Sequence, residues 1–149
     1  MTILETLKSD MATSMKAGDA PRTGVIRLLR AAMQNEKIKL GHELSDDEAL
    51  KVLQREAKQR RDSITQYGLA GRQDLIDIET AELEIIQAYL PQALSQAELE
   101  TIVDGVIARL GATDMKQMGA VIGLSMKEAG ARAEGGAVSA IVKAKLGIS

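Results

Sequence analysis

The sequence predicts an all-α fold, with an N-terminal four-helix unit followed by a small three-helix C-terminal domain. Apolar residues recur at steps of three and four along most of the chain, the spacing of one face of a helix. Three of these segments begin with a capping box, Thr2-Ile-Leu-Glu5, Ser45-Asp-Asp-Glu48 and Ser95-Gln-Ala-Glu98. No segment alternates with the period of two that a half-buried strand requires.

The first helix is expected from about Ile3 to Lys16, burying Ile3 or Leu4, Leu7, Met11 and Met15 and stopping at Gly18. Pro21 opens the second, which runs to about Leu40, where Gly41 supplies a left-handed cap. The third spans about Asp46 to Tyr67. The fourth spans about Gln73 to Leu90, where Pro91 forbids continuation. Leu90-Pro91-Gln92-Ala93 is the clearest stop in the chain, so the domains are placed at 1–91 and 95–149. A fifth helix follows Ser95, with Leu99, Ile102, Val103, Val106 and Leu110 apolar and Gly111 closing it. A sixth follows Asp114, with a buried stripe of Met115, Met118, Ile122 and Met126 and a close backbone approach at Gly119 and Gly123. After the glycine-rich connector Gly130 to Gly136, Ala137 to Leu146 forms the last helix and buries Val138, Ile141, Val142 and Leu146.

At 149 residues, 45% hydrophobic and 27% charged, the chain reads as a soluble globular protein; no apolar run approaches the roughly 20 residues that span a bilayer, so no membrane partner is expected. The start, MTILETLKSDM, lacks the basic segment and apolar core of a signal peptide, and there is no cysteine, so the cytoplasm is the expected compartment. Two tyrosines cannot build a base-stacking platform, and the lone histidine, His42, lies in a connector. The first domain carries 13 Lys and Arg against 15 Asp and Glu and the second 6 against 6; overall charge therefore does not argue for nucleic acid, and no DNA partner is expected.

The informative feature is charge on apolar faces. Leu50, Leu53, Ala57, Arg60, Ile64 and Tyr67 share one side of the third helix, so Arg60 points inward, while Arg55 falls on the solvent side. Glu79 and Glu82 share a face with Leu75, Ile86 and Tyr89, and Glu36 lies on the stripe of Val25, Leu29, Ala32 and Leu40. An unpaired buried charge is too costly to keep, so the expectation is a structural polar cluster in which Arg60 meets Glu79 or Glu82, with Glu36 close by. A carboxylate metal site from Glu36, Glu79 and Glu82 is the competing reading, but the Glu-x-x-His pairs of such bundles are missing and Arg60 occupies the place of a cation. No metal or other cofactor is expected.

The run Lys58-Gln-Arg-Arg-Asp-Ser-Ile64 with Tyr67, then Gly71-Arg72, Asp74-Leu75, Glu79, Glu82-Leu83 and Tyr89-Leu90-Pro91 resembles the YqeY family, over essentially the whole chain. That family is similar to the tail of the GatB subunit of the tRNA-dependent amidotransferase, which converts mischarged Asp-tRNA or Glu-tRNA to the amide and uses its tail to recognise tRNA. The resemblance implies an all-helical, two-domain, noncatalytic binding or adaptor module whose partner is tRNA or a tRNA-processing enzyme. Lys116, Lys127, Arg132 and Lys143 are its candidate RNA contacts. Family tails often read GRADGK before the last helix, whereas Ala131 to Gly136 ends in glycine and so lacks one cation. The alternative is a carbon-nitrogen ligase that uses glutamine as amide donor within a complex. Against catalysis by this chain alone, it has no cysteine, no serine-based amidase motif and no phosphate loop with lysine, so no catalytic residues are assigned.

Overall fold

The structure is a computed structural model and describes residues 1–147. Among the described residues there are seven α-helices and no strand. They are α1 (Ile3–Lys16), α2 (Ala20–Leu40), α3 (Asp46–Leu69), α4 (Gln73–Gln87), α5 (Gln96–Leu110), α6 (Met118–Ala129) and α7 (Gly135–Leu146). Single 3-10 turns precede and follow α6, at Met115–Gln117 and Gly130–Arg132. The backbone packs as two compact units, Met1–Leu90 and Pro91–Ser149.

Each of the three capping boxes closes with both arms. The Thr2, Ser45 and Ser95 hydroxyls accept from the backbone N–H groups of Glu5, Glu48 and Glu98, whose carboxylates accept from the cap N–H groups in return. At the far ends of α2 and α5, Gly41 and Gly111 sit at φ 77° and 62°, a conformation that costs any residue with a Cβ.

The first unit buries Leu7, Val25, Ile26, Leu29, Met33, Ala49, Val52, Leu53, Ala57 and Ile86. These come from α1, the middle of α2, the first half of α3 and the end of α4. No residue of the stretch 58–85 is fully buried, although its two helices, the second half of α3 and most of α4, belong to the most extensively packed helix pair of the chain. Between α1 and α2 the Ser14 and Thr23 hydroxyls meet at 2.7 Å in the interior, one donating to the other, with the Met11 and Asp19 carbonyls in reach as acceptors for the remaining hydrogen.

The second unit buries Leu99, Val103 and Val106 of α5, Val121 and Ala129 of α6, and Val138, Ile141, Val142 and Leu146 of α7. The phase of α6 differs from that expected: Val121, Ser125 and Ala129 face inward, while Met118, Ile122 and Met126 only flank the core and Met115 is exposed. With apolar residues on several sides of this helix, the sequence leaves its rotation undecided, and the smaller side chains take the close contact. Gly119 and Gly123 are exposed and a Cβ on either would meet nothing, so they mark no close helix approach. Met15, Leu40 and Leu110 are exposed as well. Here α3 runs past Gly68 to Leu69, and α4 ends at Gln87, short of Leu90.

Burial separates two leucines of the same helix. Leu53 is 0% exposed and Leu69 81%, so Leu53→Ala should cost about 2–5 kcal/mol and Leu69→Ala within about 0.5 kcal/mol in urea unfolding.

Candidate functional site

Inward charge meets at the point where α3 and α4 leave the core. The Arg60 side chain is only 11% exposed; its Nη1 lies 3.4 Å from Glu56 Oε1 and its Nε 3.5 Å from Glu82 Oε2. Nη1 also donates to the Glu56 carbonyl oxygen, one turn back. Glu56 is as buried as Arg60, at 13%. Nε is enclosed without a properly aligned acceptor, so its approach to Glu82 is an ion pair and not a hydrogen bond.

Two members expected in this cluster stand apart from it. Glu36 pairs with Arg55, at 3.3 Å. Arg55 precedes Arg60 by five positions, about 7 Å along the helix, and so lies nearer the turn that joins α2 to α3. Its long side chain reaches around from the exposed side, being 49% exposed. Glu79 is half-buried on the same side of α4 but is not among the ion-pair partners of Arg60. Glu56 was missed as a partner, although a glutamate four residues before an arginine on a helix is a favourable pairing. Among the described residues, no three His, Asp or Glu side chains come together as metal ligands, since the carboxylates meet arginines instead.

A half-buried polar contact ties the segment after α4 to α1. The Tyr89 hydroxyl donates to Asp10 Oδ2 at 2.6 Å, and burial first, then that hydrogen bond, push the phenol's pKa up.

In the second unit the cations lie on α5, α6 and α7 and on the two 3-10 turns that flank α6. Lys145 lies 2.8 Å from Asp104, whose hydrogen bond raises its pKa; Arg109 is bound to Glu128. Arg132 is engaged in architecture: its Nε donates to the Gln92 carbonyl at 2.9 Å, and its own carbonyl accepts from the Leu94 N–H at 2.8 Å. Its guanidinium stands 4.0 Å from Glu98, a carboxyl held below its ordinary range chiefly by the Ser95 backbone N–H. Lys116, Lys127 and Lys143 are exposed, and no ion pair holds them among the described residues. Lys116 precedes α6 and Lys127 lies near its end, a rise of about 16 Å. A shallow groove of about 360 Å³ between α5 and α7 is lined by alanines with Glu100 and Lys145 at its edge, and no nucleophile with a base beside it lines the groove.

These features define an all-helical protein whose concentrated polar site is enclosed and whose free charges lie on outer faces. The chain belongs to the YqeY family: the family model described as Yqey-like protein matches residues 4–146. It is also similar to curated proteins named "Altered inheritance of mitochondria protein 41, mitochondrial". The one from Lachancea thermotolerans is 35% identical over 107 residues, 70% of this chain and 57% of the relative. That from Pyrenophora tritici-repentis is 26% identical over 111 residues, 72% of this chain and 61% of the relative. That from Saccharomyces cerevisiae is 32% identical over 95 residues, 63% of this chain and 51% of the relative. The chain thus spans between about half and three-fifths of the length of these relatives. The expectation of a cytoplasmic protein is overturned by these mitochondrial relatives. It rested on the lack of a secretory signal pattern, which argues only against export, and on the lack of cysteine, which fits any compartment because no thiol has to be kept reduced.

Because Arg60 is enclosed and Arg55 is not, Arg60→Ala should destabilise by about 2 kcal/mol, below the cost in a fully buried pair because Glu82 keeps some solvent. Arg55→Ala should cost at most about 1 kcal/mol; paired urea titrations compare them.

The folded protein holds the Tyr89 proton more tightly than the unfolded chain does. The stability this adds is complete below the ordinary tyrosine value, about 10, and is lost as pH rises from there toward the folded-state value. Raising the pH above about 10 should therefore lower the melting temperature of wild type more steeply than that of Tyr89→Phe.

Proposed function

We propose that the chain is a noncatalytic binding or adaptor module in tRNA handling, and that Met1–Leu90 and Pro91–Ser149 act as separate four-helix and three-helix domains. The C-terminal one is read as the RNA-facing domain, by kinship of its family with the tail of the amidotransferase GatB subunit. The observation that carries this reading is the sorting of cations in that unit. Arg109, Arg132 and Lys145 are engaged by carboxylates or backbone, whereas Lys116, Lys127 and Lys143 stay exposed with no partner to neutralise them among the described residues. Phosphate binding draws on such free cations, because neutralising each phosphate releases counterions. Arg132 contributes mainly by fixing residues 92–94 to the domain, and its outer nitrogens add charge beside Glu98. The names of the curated relatives point the setting of this role to mitochondria.

Filter binding of tRNA across a salt series tests the reading. Binding should weaken as salt rises, and replacing the three lysines together by glutamine should lower the slope of log affinity against log salt by about 2–3. Absence of binding at low salt would remove tRNA as the direct ligand.

A further inference from the structure

Charge is sorted between two helices of the N-terminal unit. Helix α2 carries Arg22, Arg27, Arg30, Lys37 and Lys39 against the single acid Glu36. Helix α4 carries Asp74, Asp77, Glu79, Glu82 and Glu84 and no basic residue. Local partners account for part of this: Arg22 pairs with Asp19, Lys37 with Glu43, Asp74 with Arg72 and Glu82 with Arg60. Arg27 and Lys39 on α2, and Asp77 and Glu84 on α4, are exposed and have no ion pair among the described residues.

These four charges border apolar surface. On α2, Arg27 and Lys39 flank Leu28, Ala31 and Ile38, which share the exposed side, with Ile38 69% exposed. On α4, Asp77 and Glu84 line one edge of the surface that Ile78 and Ala81 form, with Ile78 56% exposed. The rise from Arg27 to Lys39 is about 18 Å and that from Asp77 to Glu84 about 10 Å, so the acidic pair falls within the span of the basic pair and is opposite to it in sign. Within one molecule they cannot meet, because α2 and α4 pack against each other through their inner sides and these faces look outward.

We propose that the chain self-associates through its N-terminal unit, the basic outer face of α2 in one copy seating on the acidic outer face of α4 in a second copy. A two-fold arrangement forms this contact twice, each copy lending both faces. The apolar centres supply burial, and the flanking opposite charges set register and exclude like-with-like pairing.

Sedimentation velocity of the full chain over a concentration series tests this. Wild type should shift from monomer to dimer as concentration rises, and added salt should weaken the dimer. Arg27→Glu with Lys39→Glu, and separately Asp77→Lys with Glu84→Lys, should each give monomer, because each variant opposes like charges at both contacts. An equimolar mixture of the two variants should restore a dimer, since every contact between them pairs opposite signs. Circular dichroism of each variant checks that these exposed substitutions keep the helical fold. Wild type that stays monomeric at all concentrations in low salt, or a mixture that sediments as monomer, overturns the proposal.

Discussion

A guanidinium cannot shed its charge, and Arg60 therefore dictates what surrounds it. With 11% of its side chain exposed, it needs carboxylates at fixed places on its own helix and on the next. Glu56 supplies one from the preceding turn and Glu82 the other from α4. Sliding or rotating α3 against α4 would strand a charge away from water, an error far more costly than a misplaced leucine. The pairing thus fixes the register of the two helices where they leave the apolar core, and that register carries the connector and outer faces with it. Its net contribution to stability is modest. One nitrogen, Arg60 Nε, is enclosed without a hydrogen-bond acceptor, as expected where geometry is shared among several constraints.

The starts of α1, α3 and α5 and the stops of α2 and α5 were legible because they are written in local chemistry: a hydroxyl followed three positions later by a glutamate, or a glycine where only a left-handed residue fits. Such signals need no knowledge of the neighbours. The inward position of Arg60 was legible for the same reason, from helical spacing alone. Its partners were not. Choosing among Glu56, Glu79 and Glu82 requires knowing how two helices are rotated about each other. Arg55 read as a solvated residue, yet its length lets it turn toward Glu36. The rotation of α6 was hidden because methionine, valine, isoleucine and leucine surround most of that helix, and hydrophobicity does not say which of them will be closest to the core. The clamp made by Arg132 on Gln92 and Leu94 was equally silent, since the groups it holds in those two residues are backbone ones.

A net charge of −2 describes this molecule poorly. Averaged over the chain, acids and bases nearly cancel, and composition reads as neutral. Resolved by helix, α2 is strongly basic, α4 is acidic throughout, and the C-terminal unit leaves three lysines in solvent. Electrostatic recognition depends on this local distribution and decays within about 10 Å at 0.1 M salt. The length scale that matters is therefore a helix face and not a whole protein.

The stretch 58–85, which contains no fully buried residue, has a consequence for how the molecule breathes. Its helical hydrogen bonds are protected chiefly by packing of one half-buried helix on another, whereas those around Leu29 and Leu53 are protected by the complete apolar interior. Amide protons in the two-helix segment will exchange with solvent through a partial opening that leaves the rest of the unit intact, forming a cooperative subunit of lower free energy.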